Sequence, residues 1–317
     1  ALDDGAGKSE LLDKTGHVLG VHNVSLDVAQ GELFVIMGLS GSGKSTLVRL
    51  INRLIEPTAG TVCLVDVDIT AMNRRQLVDL RRTKMSMVFQ SFALLPHRSV
   101  LDNVALGLEI AGVRRKEAHI RSRDALELVG IPEVADHRPD QLSGGMQQRV
   151  GLARAWVTQP AIMLMDEAFS ALDPLIRTEM QDALLALQKE ERRTIVFISH
   201  DLAEASRIAD RIAVMAEGEI RQIGTPAEII ANPADEYVKA FFRDVQMGRL
   251  LTAGDIAEPG DVDPHAEPVS AADVLEAVIP KLAATERPVP VKDASGNIIG
   301  RIDRTGLLQA LSRGHDS

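Results

Sequence analysis

The sequence predicts an α/β fold built on a parallel sheet, and three observations carry that prediction. Short apolar runs alternate with helix-length segments. Four of the runs, FVIM (34–37), MSMVF (85–89), AIMLM (161–165) and TIVFIS (194–199), are apolar almost throughout, as strands covered on both faces are. The first of them leads into GLSGSGKST (38–46), a glycine-rich turn at the mouth of a predicted helix.

Around these strands the pattern changes. GHVLGVHNVSLDV (16–28) and RIAVMAEGEIRQIG (211–224) alternate apolar and polar residues and read as antiparallel strands, the second turning at Glu217-Gly218. The run TVCLV puts the single cysteine, Cys63, at a buried strand position, and one cysteine forms no internal disulfide, which fits a reducing cytosol. Residues 100–129 and 144–157 carry apolar residues at helical period, with Gly112, Gly130 and Pro132 as punctuation, so a helical subdomain is expected at about 91–158. After Phe242 the texture turns to Pro, Asp and Ala. The expected division is a main domain at 1–243, a linker at 244–262 and a small module at 263–317.

Charge and hydropathy narrow the classes. The formal net charge is −10, and from residue 244 onward 12 acidic against 7 basic residues leave a net of −5. That balance argues against a nucleic-acid partner. No run approaches the ~18–20 apolar residues that span a bilayer, and no signal peptide opens the chain. The expectation is a soluble chain whose membrane role, if any, comes through a partner.

Two stretches carry chemistry. Gly38-x-x-x-x-Gly43-Lys44-Ser45 has the spacing of a phosphate-binding loop between a strand and a helix. Glycines 38, 41 and 43 let backbone N–H groups turn toward a phosphate, and the helix start adds its positive dipole end. The candidate nucleotide-binding set is Gly38, Ser40, Gly41, Ser42, Gly43, Lys44, Ser45 and Thr46, with Lys44 reaching the β- and γ-phosphates and Ser45 ligating Mg²⁺. MLMDEAF (163–169) ends an apolar strand in two carboxylates. Asp166 is placed to hold Mg²⁺ through water, and Glu167 to polarise a water against the γ-phosphate. Taken alone, each stretch has a plainer reading: a glycine turn with an incidental lysine, and two acids at a strand end. A second glycine pair stands in LSGGMQQRVGLARA (142–155), where Ser143, Gly144 and Gly145 open a helix and offer N–H donors to an anion. By itself that stretch is simply a loop before a helix.

Taken together, GLSGSGKST, the glutamine of VFQSF, LSGGMQQRVGLARA, IMLMDEAFSALD and the histidine of FISHD occur in the order of an ATP-binding-cassette (ABC) ATPase. The resemblance covers roughly residues 16–240. It implies a RecA-like P-loop core with an antiparallel β subdomain and a helical subdomain, using ATP and Mg²⁺. It also implies that Ser143, Gly144 and Gly145 close over the ATP of a second copy, so the chain would homodimerise. In that family Gln90 senses the γ-phosphate region, contributes at the metal and meets the membrane partner. His200 holds the γ-phosphate beside Glu167, and Ser170–Asp173 forms the loop that communicates across the dimer; the plain reading of His200 is a strand-end residue before a helix-capping Asp201. Where the family stacks an aromatic on adenine, the alignment places Thr15, with His17 nearby.

The text is similar, more narrowly, to the ATPase subunits of glycine betaine/proline-type osmoprotectant importers, as in FVIMGLSGSGKSTLVRLINRLIEPTAG and LMDEAFSALDPLIRTEMQDALLALQ. That resemblance implies a peripheral subunit on the cytoplasmic face of the inner membrane. Its partners are integral membrane permease subunits and, indirectly, a substrate-binding protein. FALLPHRSVLDNV follows Gln90 where the family docks its permease; Phe92, Leu94, Leu95 and Pro96 form an apolar lip, for which core packing is the rival reading. RPVPVKDASGNIIGRIDRTGLLQAL (287–311) resembles the end of a cystathionine-β-synthase (CBS) module, here a single one, expected to pair with its copy. Asp303 and Gly306 stand where nucleotide-binding modules carry other groups, so this module is expected not to bind adenosine nucleotides. Two alternatives stay open: an importer ATPase for another amine or amino acid, and a soluble ABC ATPase acting on nucleic acid or ribosomes.

Overall fold

The four near-continuous apolar runs become parallel strands, because only a strand covered on both faces tolerates so little polarity. The structure, a computed structural model, describes residues 12–13, 15–89, 93–170, 172–242, 251–262, 266–285 and 287–312. Strand β1 is Leu33–Met37, buried throughout, and helix α1 follows it as Lys44–Ile51. A short hairpin of β2, Cys63–Leu64, and β3, Val67–Asp68, precedes α2, Arg74–Thr83, and β4, Met85–Val88. Three helices come next: α3, Val100–Ile110, α4, Arg115–Leu128, and α5, Gly144–Trp156. They pack on one another, and α5 also packs on β4, as the expected helical insertion requires. Strand β5, Ile162–Asp166, helix α6, Pro174–Glu191, and strand β6, Thr194–Ile198, continue the alternation. Helix α7, Leu202–Ile208, then leads to β7, Arg211–Ala216, and β8, Glu219–Gly224.

The main sheet runs β4-β5-β6-β1-β7-β8. Strands β4, β5, β6 and β1 are parallel neighbours, with Ile36 beside Ile198 and Ile198 beside Asp166. The carboxyl ends of β1, β6 and β5 therefore lie at one edge, the edge at which open α/β sheets bind ligands. Phe34, Val35, Ile36, Met163, Leu164 and Phe197 are fully buried, and each such side chain contributes about 1.5–3 kcal/mol over leaving it exposed. Glu217 and Gly218 both take positive φ, 52° and 90°, the geometry of the two-residue turn expected there.

Two expectations fail. Residues 16–28, expected as an antiparallel strand, carry no strand; His22 N–H donates to Gly218 O at 2.8 Å, and Asn23 turns left-handed at φ 47°. Alternation marks faces, but a strand also needs a neighbour in register along its length. Cys63 is exposed rather than buried. Its hairpin, two residues per strand, forms a separate two-stranded sheet, and a ribbon that short has no inner face to bury.

The chain divides into two compact units, one of residues 1–200 with 213–220, the other of 201–212 with 221–317. The second unit contains α8, Pro226–Ala231, α9, Glu236–Phe241, and α10, Ala253–Ile256. It also holds β9, Val269–Ser270, α11, Leu275–Ala283, β10, Val289–Lys292, β11, Ile298–Ile302, and α12, Arg304–Ser312. Its sheet runs β11-β10-β9, with β10 antiparallel to β11 and parallel to β9. The stretch expected as a linker is described from Leu251, and there Thr252 bridges Val274 and Glu258 bridges Arg301. No helix among the described residues is long and apolar enough to cross a membrane.

Candidate active site

The turn after β1 is folded tightly onto its own backbone. A Cβ on Gly38 would stand 2.2 Å from Met215 O, and one on Gly43 2.3 Å from Gly20 O, so the loop closes only because both lack side chains. Gly43 takes φ 104° at the cap of α1 and supplies no side-chain acceptor to the helix's leading N–H groups. An anion is the partner that such an end accepts. Lys44 is buried, and its Nζ donates to Gly38 O at 2.8 Å and Leu39 O at 2.9 Å, arching the side chain back over the loop. Burial pushes its pKa down, while the charges of Glu167 and Asp166 oppose the shift.

Helix α1 and two strand ends deliver the rest. Ser45, in the first turn of α1, donates from Oγ to Asp166 Oδ1 at 2.9 Å, and Arg49 lies one turn on, 4.0 Å from Asp166. Burial pushes the Asp166 carboxyl up, against the Ser45 hydrogen bond and the Arg49 charge, and the neighbouring Glu167 charge adds to the rise. Glu167 follows β5 in a left-handed conformation, φ 48°, unusual for a non-glycine residue. Its carboxylate stands 3.6 Å from His200 Nδ1, just past the end of β6. Ser170 Oγ donates to Glu167 O at 2.9 Å, which fixes that turn.

The residues present fit a magnesium nucleotide. Ser45 Oγ and Asp166 Oδ1 are hard oxygen donors in contact, the type that Mg²⁺ selects. Among the described residues Ser42 Oγ is buried without a hydrogen-bond partner, as a hydroxyl that takes a phosphate oxygen would be. Ser40 and Gly41 are exposed on the loop, and Thr46 on α1 stands so near Gly20 that a Cβ added there would lie 2.8 Å from its Cγ2.

The second glycine pair stands elsewhere in the fold. Ser143 caps α5, accepting from Met146 N–H at 3.3 Å. Among the described residues nothing lies within 4 Å of a Cβ built on Gly144, whereas one on Gly145 would touch Leu172 at 3.3 Å and Ile176 at 3.6 Å. Asp173 caps α6 through Ile176 N–H at 3.1 Å, and Leu172 just before it lies beside Gly145 at the start of α5. Helix α1 packs on β5 and β6, while α5 packs on α3, α4 and β4. Gln90, Phe92 and Ala171 lie outside the described residues. Leu94 and Leu95 are half-buried and Pro96 exposed. His17 is exposed, its Nδ1 2.9 Å from Thr15 O. The sequence reading missed Arg49, although its i,i+4 spacing from Ser45 places both on one helix face. It also missed Gly20, whose carbonyl seals the loop only in three dimensions.

A family profile described as ABC transporter matches residues 21–170. The trimethylamine N-oxide transport system ATP-binding protein TmoW of Ruegeria pomeroyi is 49% identical over 93% of this chain and 87% of its own length. The chain belongs to the ABC transporter ATP-binding family. Among other ABC relatives, the glycine betaine/proline betaine transport system ATP-binding protein ProV of Escherichia coli is 59% identical over 81% of this chain. The match covers 64% of ProV, so the chain spans less than two thirds of that relative. A solved structure titled as the dimeric structure of MJ0796, a bacterial ABC transporter cassette, aligns with TM-score 0.62 and 35% identity, over 65% of this chain and 90% of that one. The first unit is thus an ABC cassette, a mixed α/β fold around a P-loop.

Proposed function

We propose that the chain hydrolyses ATP as the cassette subunit of an importer for glycine betaine or a related osmoprotectant. One observation carries this reading: Lys44, Ser45, Asp166, Glu167 and His200 converge at the carboxyl ends of three neighbouring parallel strands. Gly38 to Thr46 would wrap the phosphates, and Lys44 would turn its ammonium from Gly38 O and Leu39 O to the β- and γ-phosphates. Ser45, Asp166 and Gln90 would hold Mg²⁺, which when bound supplies charge compensation at the β- and γ-oxygens. Glu167 accepts a proton from the attacking water as general base, with its carboxylate 3.6 Å from His200 Nδ1. His200, in contact with Glu167, holds the γ-phosphate and orients that water.

Ser143, Gly144 and Gly145 complete the site of a second copy, and Asp173 and its loop lie at that seam. This arrangement accounts for a glycine, Gly144, that its own fold leaves uncovered. The structural neighbour's title describes a dimer, which supports the pairing. Two cassettes closing on ATP and reopening after hydrolysis would move paired permease subunits docked at residues 92–96, on the cytoplasmic face of the membrane. We read the module expected at 263–317 as CBS-like and regulatory; its described strands are β9, β10 and β11. Asp303 already occupies the start of α12, accepting from Gly306 N–H at 2.7 Å, and repels a phosphate there.

A second cargo is favoured by length. TmoW, matched over 87% of its own sequence, is named for trimethylamine N-oxide, another small polar methylamine compound. Vesicles holding the chain with its copurified permease test both cargoes. ATP-dependent uptake of radiolabelled glycine betaine is expected, and Glu167→Gln should abolish it while retaining ATP binding, a loss of at least about a hundredfold in turnover. Uptake of trimethylamine N-oxide alone would transfer the assignment to that cargo. Turnover unchanged in Glu167→Gln would refute the catalytic role.

A further inference from the structure

The loop from Ala93 to Ser99 is held by an unusual buried amide. Asn103 lies in the first turn of α3 with no exposed surface. Its Oδ1 accepts from Leu95 N–H at 2.7 Å, and its Nδ2 donates to Leu95 O at 3.0 Å and Ser99 O at 2.9 Å, with Arg98 O at 3.3 Å. The side chain thus pairs with both backbone groups of Leu95, as a neighbouring strand would. A buried amide is costly unless its donors and acceptors are matched, and here they are.

The same loop is tied to the helix that carries the second glycine pair. Arg154, near the end of α5, donates from Nη1 to Ala93 O at 2.8 Å. The start of α3 donates backward: Val100 N–H to His137 O and Leu101 N–H to Ala135 O, both at 2.8 Å. From there the chain runs to Pro139 and Ser143, where Gln147 Nε2 donates to Pro139 O at 2.9 Å. Loop, α3 and the approach to Ser143 therefore share one hydrogen-bonded framework.

We propose that Asn103 is a positioning residue, acting through Leu95 to make loop 93–99 one rigid body with the Ser143 helix, so that displacement of a docked permease reaches the nucleotide. This rests on the importer reading given above. Among the described residues, the side-chain hydrogen bonds of Asn103 go to Leu95, Arg98 and Ser99 and none goes to the nucleotide site, so its variants should spare basal chemistry. In Asn103→Ala, Leu95 loses the partner for its N–H, and the loop loses its side-chain clamp to α3, so that Arg154 to Ala93 O remains as its tie to α5 and the loop can shift about that point.

The test uses the intact complex in vesicles and the free chain in parallel. For Asn103→Ala, ATP affinity and hydrolysis by the free chain should stay within about twofold of the unmodified protein. Permease-stimulated hydrolysis and glycine betaine taken up per ATP should both fall about tenfold. Hydrogen exchange at the Leu95 amide should quicken. Asn103→Ser, which can still reach Ser99 O but not Leu95, is a milder variant should the alanine form fail to fold, and it should show the same split. If uptake per ATP is unchanged while Leu95 exchange quickens, the proposal is overturned. A parallel fall in basal and stimulated rates also overturns it, because that marks a merely structural residue. Absence of permease stimulation in the unmodified complex would instead defeat the importer reading, and the coupling role with it.

Discussion

The two glycine-bearing helix starts, at Gly43 and at Gly144, do opposite things in the fold. Gly43 is demanded from within: its φ of 104° and the carbonyl of Gly20 leave no room for a Cβ. Gly144 lies in ordinary helix with no described residue within 4 Å of where its Cβ would be, and Ser143 already caps that helix. A glycine with no internal reason, at a helix start suited to anions, points outward to something that approaches it. The difference separates residues needed to build the chain from residues needed to meet another.

The strongest way to break this comparison is to split the two helix starts between chains. Lys44→Ala and Ser143→Arg should each lower ATP turnover about a hundredfold or more. Mixed one to one, they should regain about a quarter of normal turnover, because half the dimers hold one centre with both parts intact. A mixture as inert as its components would show that the second helix serves its own chain.

A smaller effect sharpens it. Gly43→Ala should cost roughly 1–3 kcal/mol of stability, read as a lower urea midpoint, since the residue is strained and crowded. Gly144→Ala should leave stability within about 0.5 kcal/mol yet lower turnover at least about tenfold. Equal destabilisation by both substitutions would erase the distinction.

The smallest effect concerns the carboxylate beside Ser45. Burial raises the folded pKa of Asp166 above its ordinary 3.8, so its ionised form costs stability at neutral pH. Below 3.8 both folded and unfolded chains carry it protonated and the cost vanishes; it develops as pH rises through the folded value. Nucleotide-free Asp166→Asn should accordingly melt higher than the unmodified chain at pH 7, and the gain should shrink toward pH 4, while hydrolysis is lost. A lower melting point at pH 7 would show that the Ser45 and Arg49 contacts outweigh burial.

The sequence by itself determined the parallel strands, the helical insertion and the order of the chemical residues. Those are local properties: an uninterrupted apolar run is readable as a covered strand, and Gly-x-x-x-x-Gly-Lys-Ser between strand and helix needs no distant information. Only the tertiary structure decided the rest. Residues 16–28 alternate as a strand does but lack a neighbour in register, and Cys63 sits in an apolar run that forms a ribbon too short to bury it. The convergence of Asp166, Glu167 and His200 on Lys44 depends on β1, β6 and β5 being adjacent, an order unrelated to their order in the chain. Asn103, an unremarked polar residue in a helix's first turn, became a loop clamp because folding brought Leu95 within hydrogen-bond reach. Pairing, burial and convergence are set by contacts between segments far apart in sequence, and periodicity along one segment carries no record of its partner.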